Sequence, residues 1–151
     1  MSFRATAAQA TPVSYELEWG VVRGLCWGDP NNVTVIATHG WLDNCHSFLP
    51  LAEHWNSGHG GLIALDWAGH GHSDHRPRGT HYHFIDYAYD LWQILTHHIN
   101  SPVTLLGHSM GGFVSNVVAS ICPEKVDKLI LVEAFGLLVS DEMNAREQLA
   151  K

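Results

Sequence analysis

The pentapeptide Gly-His-Ser-Met-Gly at residues 107–111 directly follows an apolar run at residues 103–106. A serine with a glycine two positions away on either side, placed after a strand, is typical of a nucleophile elbow, because this sharp turn needs small neighbours. Apolar residues then recur at helical spacing from Phe113 to Ile121. The pattern predicts a strand, a tight turn that exposes the Ser109 hydroxyl, and a helix. The alternative is an ordinary glycine-rich turn.

Composition and charge restrict the classes of protein that this chain can belong to. Of the 151 residues 46% are hydrophobic and 15% are charged, which is typical of one globular domain. Eight Lys and Arg against fifteen Asp and Glu give a formal net charge of −7, which argues against a nucleic-acid partner. The longest apolar stretch, residues 129–139, is too short to span a bilayer, which takes about 20 residues. We therefore expect no transmembrane segment.

The cysteines and the first residues bear on the compartment. Cys26, Cys45 and Cys122 are odd in number and form no Cys-x-x-Cys pair, which favours free thiols in a reducing compartment. Residues 1–11 lack the apolar core of a secretory signal. These features predict an intracellular protein, cytoplasmic or peroxisomal.

Strand-like and helix-like segments alternate along the chain. A hairpin is predicted at residues 15–19 and 21–27, further strands at 33–38, 62–67, 103–106 and 129–133, and helices at 48–55, 85–99, 110–121 and 140–151. This alternation indicates an α/β fold with a mainly parallel sheet. Because ligands bind such sheets at the carboxyl ends of the strands, the residues that follow each strand are the candidates for a site.

Three strand ends carry motifs that would meet at that edge. His-Gly-Trp stands at residues 39–41, an Asp- and His-rich segment at residues 66–74, and the elbow at residues 107–111. Together these motifs resemble the α/β-hydrolase fold and, within it, the serine hydrolase-like proteins. The resemblance runs from about Tyr15 to the end of the chain.

The resemblance implies roles for particular residues. Ser109 would be the nucleophile of acyl transfer on a small ester, thioester or amide substrate, and the backbone N–H groups of Trp41 and Met110 would form the oxyanion hole. No cofactor is implied. The supporting loop residues would be His39, Gly40, Gly107 and Gly111. Some members of the fold take their acid from the strand end where Glu133 stands, although a solvent-facing carboxylate is the simpler interpretation of Glu133.

One part of the hydrolase pattern is missing. In this fold the general-base histidine follows the nucleophile and the acid, yet the 42 residues after Ser109 contain no histidine. His108 and His39 are interpreted as structural residues rather than as substitute bases. We therefore expect an N-terminal part of a hydrolase that ends after about the sixth strand. The expected division is a flexible terminus at 1–13, the hydrolase domain at 14–136 and the start of a lid at 137–151.

Two other functions stay open at this point. One is a non-catalytic product that keeps a ligand pocket or a protein-binding surface. The other is a metal-dependent hydrolase, because the H-x-H-x-D-H pattern of the metallo-β-lactamase fold is spelled by His70, His72, Asp74 and His75. No helix pattern follows these residues, and a metal site would leave the elbow unexplained. The oligomeric state is left open.

Overall fold

The computed structural model of the chain describes residues 9–134. Its strands are β1 (Thr11–Leu17), β2 (Gly20–Trp27), β3 (Val33–Thr38), β4 (Gly61–Leu65), β5 (Val103–His108) and β6 (Val126–Val132). They form one six-stranded sheet in the order β1-β2-β4-β3-β5-β6. β1 and β2 pair antiparallel, as do β2 and β4, whereas the other three pairs are parallel. This confirms the predicted α/β architecture.

The helices are α1 (Leu49–Ala52), α2 (Phe84–His97) and α3 (Met110–Ile121), with short 3-10 turns at Cys45–Phe48, Ser57–His59 and Pro123–Lys125. The predicted helix at 48–55 is wrong in its extent, because α1 has a single turn. The Glu53 N–H donates to the Leu49 carbonyl four residues earlier, but the next two N–H groups donate to carbonyls only three residues earlier. The segment therefore tightens into successive turns.

Five of the six strands differ in their bounds from the prediction, and two of these differences shape the site. β4 ends at Leu65, because the Trp67 N–H donates to the ring of His39 instead of to a neighbouring strand. β5 continues to His108, because His108 still pairs with Val132 of β6. The turn therefore falls on Ser109 itself.

Helices and turns cover the two faces of the sheet. Because successive side chains of a strand point to opposite faces, Ile63 of β4 packs on the side of α2 and α3 while its neighbours Leu62 and Ala64 pack on the side of α1. Every residue of β4 is buried. The sheet centre is thus a rigid base for the loops that leave the carboxyl ends of β3, β4 and β5.

Several further expectations can be compared with the described residues. Cys26, Cys45 and Cys122 are buried free thiols, as predicted. Within residues 9–134 no helix is long and apolar enough to cross a membrane. The predicted lid segment at 137–151, the helix at 140–151 and most of the predicted terminus at 1–13 lie outside the described residues.

Candidate active site

The elbow at Ser109 is a strained turn held from both sides. Ser109 has φ 52° and ψ −116°, a conformation that residues with a side chain rarely adopt. Its N–H donates to the Val132 carbonyl at 3.0 Å, and its carbonyl accepts from the Phe113 N–H at 3.1 Å. Strain of this kind costs about 1 to 3 kcal/mol and persists only where the surroundings enforce it. β6 and the first turn of α3 enforce it here.

The glycines on either side of Ser109 have no room for a side chain. A Cβ atom at Gly107 would lie 2.6 Å from the Gly112 nitrogen, and one at Gly111 would lie 2.6 Å from the Thr38 carbonyl carbon. The Thr38 hydroxyl also makes hydrogen bonds to the Gly111 carbonyl at 3.1 Å and to the Ser115 hydroxyl at 3.0 Å. The start of α3 is therefore pressed against the end of β3.

The loop after β3 lies directly against the elbow. A Cβ atom at Gly40 would lie 3.3 Å from the Ser109 Cβ and 3.2 Å from Nδ1 of His108. Glycine at position 40 thus allows the backbone that leads into Trp41 to approach the serine closely.

Two backbone N–H groups near Ser109 are available to an oxygen atom. Met110 is the first residue of α3, so its N–H has no acceptor within the helix. Neither this group nor the Trp41 N–H makes a hydrogen bond within the part of the chain that the structure describes. The N-terminus of α3 also carries a partial positive charge from the helix dipole. Both groups are therefore unpaired within residues 9–134, and the oxyanion role that the family resemblance implies for them stays a prediction.

His39 is locked between backbone groups. Its Nε2 accepts from the Trp67 N–H at 3.1 Å, which requires the ring proton on Nδ1, and Nδ1 lies 2.7 Å from the Gly40 carbonyl oxygen. The Trp67 indole N–H in turn donates to the His39 carbonyl at 2.9 Å. Because both ring nitrogens are engaged, His39 is not free to take a proton from Ser109.

This environment makes the stability of the fold sensitive to acid. Burial lowers the pKa of His39 below its usual value of 6.5, so below that pH the unfolded chain binds a proton that the folded chain does not. We expect the free energy of unfolding to fall as the pH drops below about 6.5, and His39 contributes up to about 1.4 kcal/mol per pH unit to this fall. Above about pH 6.5 we expect His39 to add no pH dependence. Urea denaturation from about pH 8 to about pH 5 measures this slope. An equally steep slope in His39→Asn would contradict the assignment.

His70 holds the loop that carries Trp41. Its Nε2 accepts from the Leu42 N–H at 3.2 Å, and its Nδ1 lies 3.1 Å from the Ala68 carbonyl oxygen. Leu42 has φ 59°, a second strained position beside the elbow. The segment after β4 thus supports the loop after β3 through a side chain.

Asp66 also joins the segment that follows β3 to the segment that follows β4. It is fully buried, and its two carboxylate oxygens accept from the Cys45 N–H at 2.6 Å and from the His72 N–H at 2.9 Å. Gly71, at φ 50°, passes so close to this carboxylate that a Cβ atom there would overlap it. The sequence predicts that the segment beginning at Asp66 reaches the site but assigns Asp66 no role of its own, although an acid directly after an entirely apolar strand is a usable signal.

The metal-site alternative is wrong. It rested on His70, His72, Asp74 and His75. His70 is engaged by the Leu42 loop, Asp74 pairs with Arg23, and Nδ1 of His75 lies 3.4 Å from the Tyr82 hydroxyl. Among residues 9–134 no three His, Cys, Asp or Glu side chains come together as ligands.

Glu133 lies directly after β6, the neighbour of the strand that leads to Ser109. It is exposed and has φ 48°, the third strained non-glycine residue in the described part of the chain. All three strained residues follow parallel strands at the carboxyl edge of the sheet. A role for Glu133 as the catalytic acid stays a prediction.

A cavity of about 240 Å³ opens beside the elbow. It is lined by Trp41, Tyr82, Phe84, Tyr87 and Met110, so it contains the residues of both candidate oxyanion donors. The sequence did not indicate Tyr82, Phe84 and Tyr87 as site residues, because they belong to a long loop and to α2, far from the elbow in the chain. A larger cavity, of about 540 Å³, lies against β1 and β2 and includes neither Ser109 nor Trp41.

Known proteins are similar to this chain in sequence. A family model for the alpha/beta hydrolase fold matches residues 33–150. The chain is 34% identical over 127 residues to a serine hydrolase-like protein of Danio rerio, which covers 82% of this chain and 37% of that protein. It is 32% identical over 150 residues to a serine hydrolase-like protein of Homo sapiens, which covers 95% of this chain and 70% of that protein. The chain therefore spans less than half the length of the Danio rerio relative.

Solved structures also resemble the structure of this chain. A hypothetical protein from Pseudomonas aeruginosa PAO1 has 36% sequence identity and a TM-score of 0.80, covering 92% of this chain and 49% of that one. The thioesterase domain from the curacin biosynthetic pathway has 28% identity and a TM-score of 0.76, covering 94% of this chain and 52% of that one. The similarity is therefore not confined to the elbow segment.

Proposed function

Because this chain belongs to the alpha/beta hydrolase fold family, we propose that the protein is a serine hydrolase that cleaves a small acyl ester, thioester or amide with Ser109 as nucleophile. The observation that carries this proposal is the enforced backbone strain at Ser109, between β5 and α3. Strained residues cluster at active sites, where the strain positions a reacting group. The similarity to a protein described as a thioesterase domain supports the acyl class.

The proposed reaction follows the geometry around the elbow. The Ser109 Oγ attacks the acyl carbonyl carbon and its proton passes to a general base, so that the carbonyl oxygen becomes an oxyanion. The N–H groups of Trp41 and Met110 donate to this oxygen. One such donor contributes about 10²- to 10³-fold to the rate. Collapse of the intermediate breaks the bond to the leaving group, which takes the proton from the base. Water then gives a proton to the same base and attacks the acyl carbonyl carbon, and the acid is released as the proton returns to the Ser109 Oγ.

A second candidate function is favoured by one observation. Among residues 9–134 no hydrogen bond joins the Ser109 hydroxyl to a histidine or carboxylate side chain, because the nearby His39, His70 and Asp66 are paired with other groups. A protein that binds an acyl ligand without turning it over would need the cavity and the elbow but not the base.

Labelling with a fluorophosphonate probe distinguishes the two functions. An activated serine displaces fluoride and forms an Oγ–P bond, so we expect labelling of the protein that is abolished in Ser109→Ala and unaffected by a metal chelator. Ser120→Ala is the matched control, because Ser120 is exposed in the last turns of α3 and donates only to the Asn116 carbonyl. Absence of labelling in a folded protein would contradict the hydrolase and favour the binding function.

A further inference from the structure

Four of the five residues that line the cavity beside Ser109 are aromatic. We call this cavity the acyl cavity and define it by its lining residues Trp41, Tyr82, Phe84, Tyr87 and Met110. The backbone N–H groups of two of these residues are the proposed donors to the substrate's carbonyl oxygen. The side chains of the same residues therefore lie next to the position proposed for that oxygen, where the acyl chain can be accommodated.

The walls of the acyl cavity are preformed. The Tyr82 hydroxyl accepts from the Arg76 N–H at 2.9 Å, and the Tyr82 ring stacks on Tyr87 with 6.3 Å between the ring centroids. Tyr87 also packs against the buried Trp67 at 5.5 Å. Aromatic pairs at these distances are stabilising beyond the area that they bury. A ligand does not have to order these rings on binding.

The rim is apolar and uncovered within the described part of the chain. Trp41 is 73% exposed and Phe84 57% exposed, and Phe84 packs edge-on against Phe113 at 5.6 Å. An apolar ligand that covers these rings gains about 25 cal/mol for each Å² of apolar surface removed from water. Exposed apolar patches of this kind mark ligand grooves and binding surfaces.

The lining offers nothing to a charged acyl group. None of the five lining residues carries a charge near neutral pH, and burial raises the pKa of Tyr87 still further from neutrality. Arg76, which anchors Tyr82, directs its guanidinium to the buried Asp90 at 2.6 Å instead. A carboxylate among these rings would lose part of its hydration without gaining a charged partner, which is unfavourable.

The lining indicates the kind of acyl group that fits. The cavity of about 240 Å³ opens to solvent at its exposed rim, so its aromatic walls rather than its volume determine what binds there. We infer that the acyl cavity selects an uncharged, apolar acyl group, aliphatic or aromatic. This inference rests on the proposed function of Ser109.

Binding to Ser109→Ala tests the inference without requiring any reaction. Methyl hexanoate and monomethyl adipate present acyl chains of equal carbon number, but only the second ends in a carboxylate. We expect methyl hexanoate to bind at least about tenfold more tightly, and methyl benzoate to compete with it. Protein-observed NMR of the Trp41 indole N–H, assigned with Trp41→Phe, measures both affinities.

Variants then locate the binding. In the Ser109→Ala background, Phe84→Ala is expected to weaken methyl hexanoate binding several-fold, because it removes one wall of the cavity. Ile85→Ala is the matched control, because Ile85 is the next residue, is likewise exposed and does not line the cavity. Equal binding of the two esters, no binding of either, or equal effects of the two substitutions would overturn the inference. If the unsubstituted protein is not labelled by the fluorophosphonate while Ser109→Ala still binds methyl hexanoate selectively, only the proposed nucleophile is rejected.

Discussion

Replacing Gly111 with alanine is expected to destabilise the protein by about 3 kcal/mol, although alanine favours a helix over glycine by about 1 kcal/mol. The added methyl group would lie 2.6 Å from the Thr38 carbonyl carbon and 2.7 Å from the His39 carbonyl oxygen. Both groups are backbone atoms at the end of β3, so neither can turn away as a side chain would. The elbow or β3 must move, and either movement breaks close packing.

Gly79→Ala is the matched control for this prediction. Gly79 has φ 90°, but a Cβ atom there would meet nothing within 4 Å. Its replacement should therefore cost only the backbone strain, about 1 kcal/mol. Urea denaturation of both variants measures the difference. A loss at Gly111 no larger than that at Gly79 would mean that the contact between the elbow and β3 is relaxed in solution.

Replacing Asp66 is expected to produce a loss of similar size. In Asp66→Ala the N–H groups of Cys45 and His72 lose their acceptors inside the protein. The Cys45 N–H is buried and costs about 1 to 3 kcal/mol when unpaired, whereas His72 is exposed and its N–H can bond to water. With the cavity left by the side chain, we expect Asp66→Ala to lower the free energy of unfolding by about 3 kcal/mol. Asp66→Asn should cost about half as much, because the amide keeps the size and one acceptor oxygen.

Asp66→Asn should also slow the reaction at Ser109. Asp66 holds the segment that ends in Cys45, and this segment begins at the Gly40–Trp41 backbone beside Ser109. We therefore expect slower fluorophosphonate labelling of Asp66→Asn under conditions in which the variant is fully folded. Asp127→Asn serves as the control, because Asp127 forms only an exposed ion pair with Lys128 at 3.6 Å and should change stability by less than about 1 kcal/mol. Indistinguishable effects of Asp66→Asn and Asp127→Asn would contradict both parts of the prediction.

Features encoded by short-range patterns were predictable. The bounds of β3 and α3 agree with the prediction to the residue, because unbroken apolar runs and a 3.6-residue period are local signals. The turn at Ser109 was predictable too, because its glycines stand within two residues of it and each has a steric reason to be there. The mainly parallel sheet followed from the alternation of these elements.

The supports of the site depend on contacts between residues far apart in the chain. His39 is 28 residues from Trp67, Cys45 is 21 residues from Asp66, and each pair is joined by hydrogen bonds that involve backbone N–H groups. No local pattern specifies which side chain will accept from a backbone N–H in another loop. The H-x-H-x-D-H pattern was misleading for the same reason, since its spacing fits metal ligands while the packing turns the side chains to different partners.

The sequence by itself therefore determined the order of the strands and helices along the chain, the elbow and the class of fold, because apolar periodicity and the need for glycine act over a few residues. Only the tertiary structure decided which loops meet at the carboxyl edge, how His39, Asp66 and His70 hold them, and which rings line the acyl cavity. The physical reason is that these features are hydrogen bonds and ring contacts between separate elements. Their geometry exists only after the sheet has formed and brought those elements together.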